Sequence, residues 1–175
     1  MSRTVALVGM MGAGKSSVGR RLAARLGVPF RDADSEIELA AGCPVSAIFE
    51  RYGEQAFRDG ERRVIARLLA ESPHVLATGG GAFMDPETRA RMKERALTVW
   101  IKAPVDVLMS RVQRRDTRPL LRTQNPRATL EKLLEERAPI YSQADITVES
   151  DDGPHATAVE HIVAALKARR ICESA

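Results

Sequence analysis

Aromatic residues are scarce in this chain. Four Phe, two Tyr and one Trp make up 4% of its 175 residues, so the core must rest mainly on Leu, Val, Ile and Ala. A nucleic-acid binder would gather its charge on one face and offer aromatic rings for stacking. Here most basic residues alternate with acids, as in "DPETRARMKERA", the pattern of a solvated helix face. Cysteine is rarer still. Cys43 and Cys172 have no metal-ligand spacing and no obvious partner, and a chain of this size needs no disulfide, which points to a reducing cytoplasm. No apolar run is long enough to span a membrane. The first, "TVALVGM", breaks into glycine-rich sequence too soon for a signal-peptide core. Repeats, low-complexity tracts and linkers are absent too. What remains is one globular domain with 44% hydrophobic and 29% charged residues and a net charge of +4.

Short β-branched runs alternate with helical patterns. "TVALV" (4–8), "VPFRD" (28–32), "HVLAT" (74–78), "LTVWI" (97–101) and "DITVE" (145–149) read as strands. Val18, Leu22 and Leu26 recur every fourth residue on a first helix. A long helical stretch from about residue 35 to 71 is broken at "AGCP" and "RYGE". Pro86, Pro104 and Pro126 open further helices at first-turn positions, and Val159, Ile162, Val163 and Leu166 mark the last. Five strands separated by helices imply an α/β fold, a mostly parallel sheet covered on both faces in three layers.

"GMMGAGKS", Gly9 to Ser16, fits the phosphate-loop pattern G-x-x-x-x-G-K-[ST] between a strand and a helix. Glycines let successive N–H groups curl around phosphates at the positive end of the helix. Gly12, Ala13, Gly14, Lys15, Ser16 and Ser17 are therefore expected to hold ATP. Lys15 would reach the β- and γ-phosphates, and the Ser16 hydroxyl would ligate Mg²⁺.

Ligands of doubly wound sheets bind beyond the carboxyl ends of the strands. Strands three and four end without a carboxylate, and strand five is expected to lie away from the loop. Strand two ends in "RDADSE". Asp32 is assigned to the Mg²⁺ shell through water, and Asp34 to the acceptor hydroxyl. Helix capping by Asp34 or Ser35, with "SEIE" as a capping box, is an alternative that explains Asp34 but not Asp32.

"LATGGGA" ends a strand in three glycines, more than a turn requires. Bare backbone there would let a second ligand approach closely. Arginines supply a counterpart. "AFRDGE" sets Arg58 three residues before Glu61 on a helix, close enough for Glu61 to orient the guanidinium. "TRPLL" carries Arg118, and "ERAPIY" carries Arg137. Together they would grip a carboxylate and neutralise a transferring phosphoryl group. Spacing alone does not tell which arginine does which.

In order along nearly the whole chain, "GMMGAGKS", "DADSEIE", "IFERYGEQAFRDGE", "LATGGGA", "TRPLL" and "ERAPIY" resemble the shikimate kinase family. The loop alone is shared with many functions; the combination of D-x-D, F-R-x-x-E, G-G-G and R-P-L-L is far more specific. The resemblance implies a five-stranded parallel sheet of the nucleoside-monophosphate-kinase type, with a mobile lid over about 111–124 and a substrate-binding region over about 34–62. It implies phosphate transfer from Mg²⁺·ATP to the 3-hydroxyl of shikimate, on the chorismate route to aromatic amino acids. By that resemblance Asp34, Phe57, Arg58, Gly80, Gly81 and Arg137 would bind shikimate, with the carboxylate on Arg58 and Arg137. Lys15, Asp34 and Arg118 would be catalytic, with Arg118 reaching the phosphates from the lid and Arg111 lying against adenine. The partners expected are two small molecules, with no nucleic acid, no membrane and a monomeric chain.

Two rivals remain at this point. A kinase of another small molecule, such as gluconate, keeps the loop and sheet but has less use for the remaining motifs. A non-catalytic nucleotide-dependent RNA binder would use the basic run "RVQRRDTRPLLR", and salt-dependent RNA binding without turnover would favour it.

Overall fold

The computed structural model describes residues 1–114 and 123–171. Five parallel strands form one sheet: β1 (Thr4–Val8), β2 (Phe30–Asp32), β3 (Val75–Ala77), β4 (Ala96–Lys102) and β5 (Ile146–Glu149). Their order is β2-β3-β1-β4-β5. Val5 of the central strand stands opposite Val75 on one side and Leu97 on the other. β1 is buried along its whole length, which is why "TVALV" has no polar alternation: a parallel strand covered on both faces needs none.

Among the described residues seven helices follow: α1 (Lys15–Leu26), α2 (Ala33–Ala41), α3 (Val45–Leu69), α4 (Pro86–Arg95), α5 (Val105–Gln113), α6 (Pro126–Tyr141) and α7 (His155–Ala168), with a 3₁₀ turn at Ala82–Met84. Right-handed crossovers fix their sides. The step from β1 out to β2 puts α1 on one face. The returning steps, β2 to β3 and β3 across to β4, put α3 and α4 on the other. The packing agrees, since α1 meets α7 while α4 meets α3 and β4.

The two expected breaks are real but differ in kind. Gly42 ends α2 in a left-handed conformation (φ 69°) and Pro44 opens α3. Gly53, with φ 83° and ψ 171°, instead bends α3 internally. Helix α2 also corrects the capping alternative. Its cap is Asp32, whose Oδ1 accepts the N–H groups of Asp34 and Ser35 at 3.1 and 3.3 Å. Glu38, the supposed partner in a capping box, accepts the N–H of Val45 at the start of α3 instead. The cap therefore falls at the strand's last residue, and Asp34 and Ser35 sit in the first turn.

Candidate active site

The loop from Gly9 to Gly14 joins the central strand to α1, so it lies at the carboxyl edge of the sheet. Gly14 is the N-cap of α1 with φ 95°, a region that a side chain rarely tolerates. A Cβ there would also stand 2.9 Å from the His155 ring. Lys15 is buried and its Nζ donates to the carbonyls of Gly9 and Met10 at 2.8 Å each. The Ser16 hydroxyl donates to Asp32 Oδ2 at 2.6 Å. Asp32 thus serves its two oxygens separately, one to the helix cap and one to the phosphate loop. A pocket opens over this loop, lined also by Ser17, Asp34 and Arg111.

Arg111 comes from α5 and ties three segments together. Its Nη1 donates to the carbonyl of Ala13 at 3.0 Å and to Ser150 Oγ at 3.2 Å, and Nη2 donates to the carbonyl of Asp151 at 2.6 Å. The turn after β5 therefore does reach the loop, although β5 is the edge strand. Glu149 itself pairs with Lys102 instead. His155, at the start of α7, closes the same pocket. Burial, with the Arg111 and Arg21 charges nearby, lowers its pKa below the usual histidine value.

A second pocket adjoins the first, and Asp34 lines both. Its walls bring together Arg58 and Glu61 from α3, Arg137 from α6, and Gly79 to Gly81 after β3. Phe57 and Phe49 pack at 4.8 Å to give it an apolar side. Arg58 Nη1 donates to Glu61 Oε2 at 2.8 Å. Glu61 is 3% exposed, and its pKa is raised because loss of hydration outweighs the nearby Arg58 charge. Buried atoms of both signs, Glu61 Oε1 and Arg137 Nη1, have no hydrogen-bond partner among the described residues. A pocket holding an unmatched buried guanidinium N–H is a place for an anionic oxygen.

The three glycines owe their bareness to more than a ligand's approach. A Cβ on Gly79 would stand 2.7 Å from Glu61 Oε1 and 3.1 Å from Asp34 Oδ1. One on Gly81 would sit within the Arg58 guanidinium, 2.6 Å from Cζ. Gly80 would meet Arg137 Nη1 and the N–H of Met11 at 3.3 Å. The glycines thus make room for the side chains that line the pocket. Sequence reasoning had no means of seeing those neighbours, which lie far away along the chain.

Arg118, with most of the expected lid, lies outside the described residues, as does Cys172. The arrangement otherwise draws Lys15, Ser16, Asp32 and Arg111 around one pocket and Arg58, Phe57, Gly80, Gly81 and Arg137 around the next. Three further residues join this arrangement without a sequence motif that assigns them a role: His155, Ser150 and Tyr141. Tyr141 closes the motif "ERAPIY", and its aromatic rarity was the one available signal.

A glycine-rich phosphate loop on a β2-β3-β1-β4-β5 parallel sheet, with an arginine-lined pocket beside it, defines a small-molecule kinase of the nucleoside-monophosphate-kinase type. The shikimate kinase family model matches residues 11–167. A shikimate kinase of Caulobacter vibrioides is 60% identical over 166 residues, 95% of this chain and 83% of that one. That of Nitrobacter winogradskyi is 60% identical over 170 residues, 97% and 79% of the two chains. The shikimate kinase structure from Acinetobacter baumannii in complex with shikimate superposes with a TM-score of 0.93 at 39% identity, covering 95% of this chain and 94% of that one. The chain belongs to the shikimate kinase family. It is an ATP-dependent phosphotransferase whose acceptor is shikimate, which sets aside both the gluconate and the RNA-binding alternatives.

Proposed function

We propose that the two adjoining pockets are the donor and acceptor halves of one transfer site, with ATP over the phosphate loop and shikimate beside Arg58 and Arg137. The observation that carries this reading is the position of Asp34, which faces both pockets. Phosphoryl transfer asks a protein mainly for alignment and charge. Arg58 and Arg137 hold the shikimate carboxylate, the Gly80–Gly81 backbone supports the ring, and Phe57 excludes water from one side. Asp34 aligns the attacking 3-hydroxyl and accepts its proton late. Lys15 exchanges the carbonyls of Gly9 and Met10 for phosphate oxygens. Arg111 borders the base, and Arg118 is given the transferring phosphate on the family pattern alone, within a lid over 111–124.

Mg²⁺ fits this donor set. Ser16 Oγ and Asp32 Oδ2 lie 2.6 Å apart at the edge of the nucleotide pocket, and both are hard oxygen donors. Mg²⁺ keeps several waters and takes phosphate oxygens alongside few protein donors. When bound, it neutralises charge on the β- and γ-phosphate oxygens. Cys43 is a free thiol, in line with a place in the cytoplasm, and no described helix is long and apolar enough to cross a membrane.

The test is ADP release with Mg²⁺·ATP alone, with shikimate and with gluconate. The expected result is strong stimulation by shikimate only. Slow hydrolysis indifferent to shikimate would leave the phosphate loop standing and remove the acceptor site.

A further inference from the structure

Tyr141 is completely buried at the end of α6. Its ring stacks on Trp100 of β4, with centroids 5.8 Å apart and planes at 27°. Its hydroxyl donates to the carbonyl of Gly80 and stands 3.9 Å from Met10 Sδ in the phosphate loop. A buried tyrosine hydroxyl must find some partner, but satisfying it needs no particular carbonyl. Here the carbonyl belongs to the middle glycine of the acceptor pocket.

The consequence follows from peptide geometry. The Gly80 carbonyl and the Gly81 N–H belong to one planar trans peptide and point in opposite directions. Anchoring the oxygen therefore fixes the direction of the N–H. Glycines on both sides give that peptide more rotational freedom than any other sequence would, so an anchor has much to restrain. Burial pushes the Tyr141 hydroxyl up to about 12, which keeps it a neutral donor at every pH where a kinase works.

We propose that Tyr141 is a positioning residue of the acceptor site: by holding the Gly80 carbonyl against the Trp100 side of the sheet, it aims the Gly81 N–H at the carboxylate or hydroxyl oxygens of bound shikimate. It touches neither substrate. The Trp100 ring fixes Tyr141, Tyr141 fixes Gly80, and the peptide that follows is presented to the ligand. The proposal rests on the reading of the triglycine segment as the acceptor floor.

Tyr141→Phe keeps the stacked ring and deletes only the donor. Two substitutions are measured together, Gly80→Ala and Tyr141→Phe, by calorimetric titration with shikimate and by KM for each substrate. Gly80→Ala is expected to weaken shikimate binding, because its Cβ meets Arg137 and Met11 at 3.3 Å. Should it bind shikimate normally, the floor itself is misassigned and the proposal falls with it. With the floor established, Tyr141→Phe is expected to raise the Kd and KM for shikimate by about five- to tenfold, the worth of one internal hydrogen bond, and to leave the KM for ATP unchanged. A variant that melts lower yet binds shikimate normally would make Tyr141 a packing residue only and overturn the proposal. Equal weakening toward both substrates would also overturn it, since the Met10 contact would then carry the effect, and so would loss of the effect in an Arg137→Ala background, since the Arg137 guanidinium also stands beside the hydroxyl.

Discussion

Arg58 donates Nη1 to Glu61 Oε2 at 2.8 Å, and both heads stand directly against the triglycine backbone. The pair is unequal. The Glu61 side chain is 4% exposed and that of Arg58 21%, so of the two residues that line the second pocket Arg58 keeps the more open side. Glu61 accordingly acts as a fixed support, and Arg58 retains donors for a carboxylate.

Arg58→Ala should therefore damage the acceptor side selectively. A hydrogen bond between charged groups contributes about 1.5–3 kcal/mol, which corresponds to a rise in the KM for shikimate of roughly tenfold or more. The KM for ATP should hardly move. Steady-state kinetics with each substrate varied in turn settle the point, and a defect confined to ATP would be incompatible with a carboxylate anchor.

Gly81→Ala tests whether the glycine serves the arginine. Its Cβ would sit 2.6 Å from Arg58 Cζ, so the guanidinium must swing away and shikimate binding should weaken. In an Arg58→Ala background the same Cβ meets nothing from that side chain. The two substitutions should then be strongly non-additive, with a coupling of about 1 kcal/mol or more between such close neighbours. Additive effects would mean that Gly81 is required by the ligand or the turn itself.

Glu61 should make stability depend on pH in an unusual direction for a carboxylate. Its folded-state pKa is raised above the ordinary 4.5. Between that value and the raised one, the folded chain holds the proton more tightly than the unfolded chain. Stability must therefore fall as pH rises through that window. Glu61→Gln removes the titration while leaving an oxygen for Arg58. The melting temperature of the wild type relative to Glu61→Gln should decline from about pH 4.5 upward. A relative rise with pH would mean that the Arg58 charge outweighs burial.

What the sequence disclosed and what it withheld divide along contact distance. All five strands and the helix openings at Pro86 and Pro126 were legible, because apolar period and proline placement are local quantities, while Pro104 stands one residue ahead of α5 as its N-cap rather than in its first turn. The Arg58–Glu61 pair was legible for the same reason, being one helical turn apart. Asp32 as the cap of α2 was not, since the choice among Asp32, Asp34 and Ser35 depends on the residue at which strand geometry gives way to helix. The crowding of Gly79 by Asp34 and Glu61, and the reach of Tyr141 to Gly80, join residues 18 to 61 positions apart. Nothing in a one-dimensional pattern encodes them.

Lys15→Met should lower turnover by orders of magnitude with little change in the fold. The ammonium now satisfies the Gly9 and Met10 carbonyls, so some local rearrangement of the loop is expected, yet no core contact is lost. Removing one preorganised charge at a site of developing negative charge costs about 10²–10³ in kcat. A normal circular dichroism spectrum with near-normal turnover would disprove the assignment of the loop.

Asp85 offers a stability effect separate from chemistry. Its Oδ2 accepts the N–H of Thr88 at 2.8 Å as the N-cap of α4, and its Oδ1 lies 3.1 Å from Arg62 Nη2. The Arg62 guanidinium, aided by the Thr88 N–H, holds its pKa down to about 2 against the ordinary 3.8. A depressed carboxyl stabilises the fold above the unfolded-state value and loses that contribution as pH falls through the folded one. Asp85→Ala should cost about 1 kcal/mol at neutral pH, or a drop of about 2–4 °C in melting temperature for a chain of this length. The difference from wild type should shrink between about pH 4 and pH 2. Asp85 lines neither pocket, so both KM values should stay at wild-type levels. If acid leaves the stability gap intact, then Asp85 acts through packing at the α3–α4 junction, because neither a cap nor an ion pair survives protonation of the carboxylate unchanged.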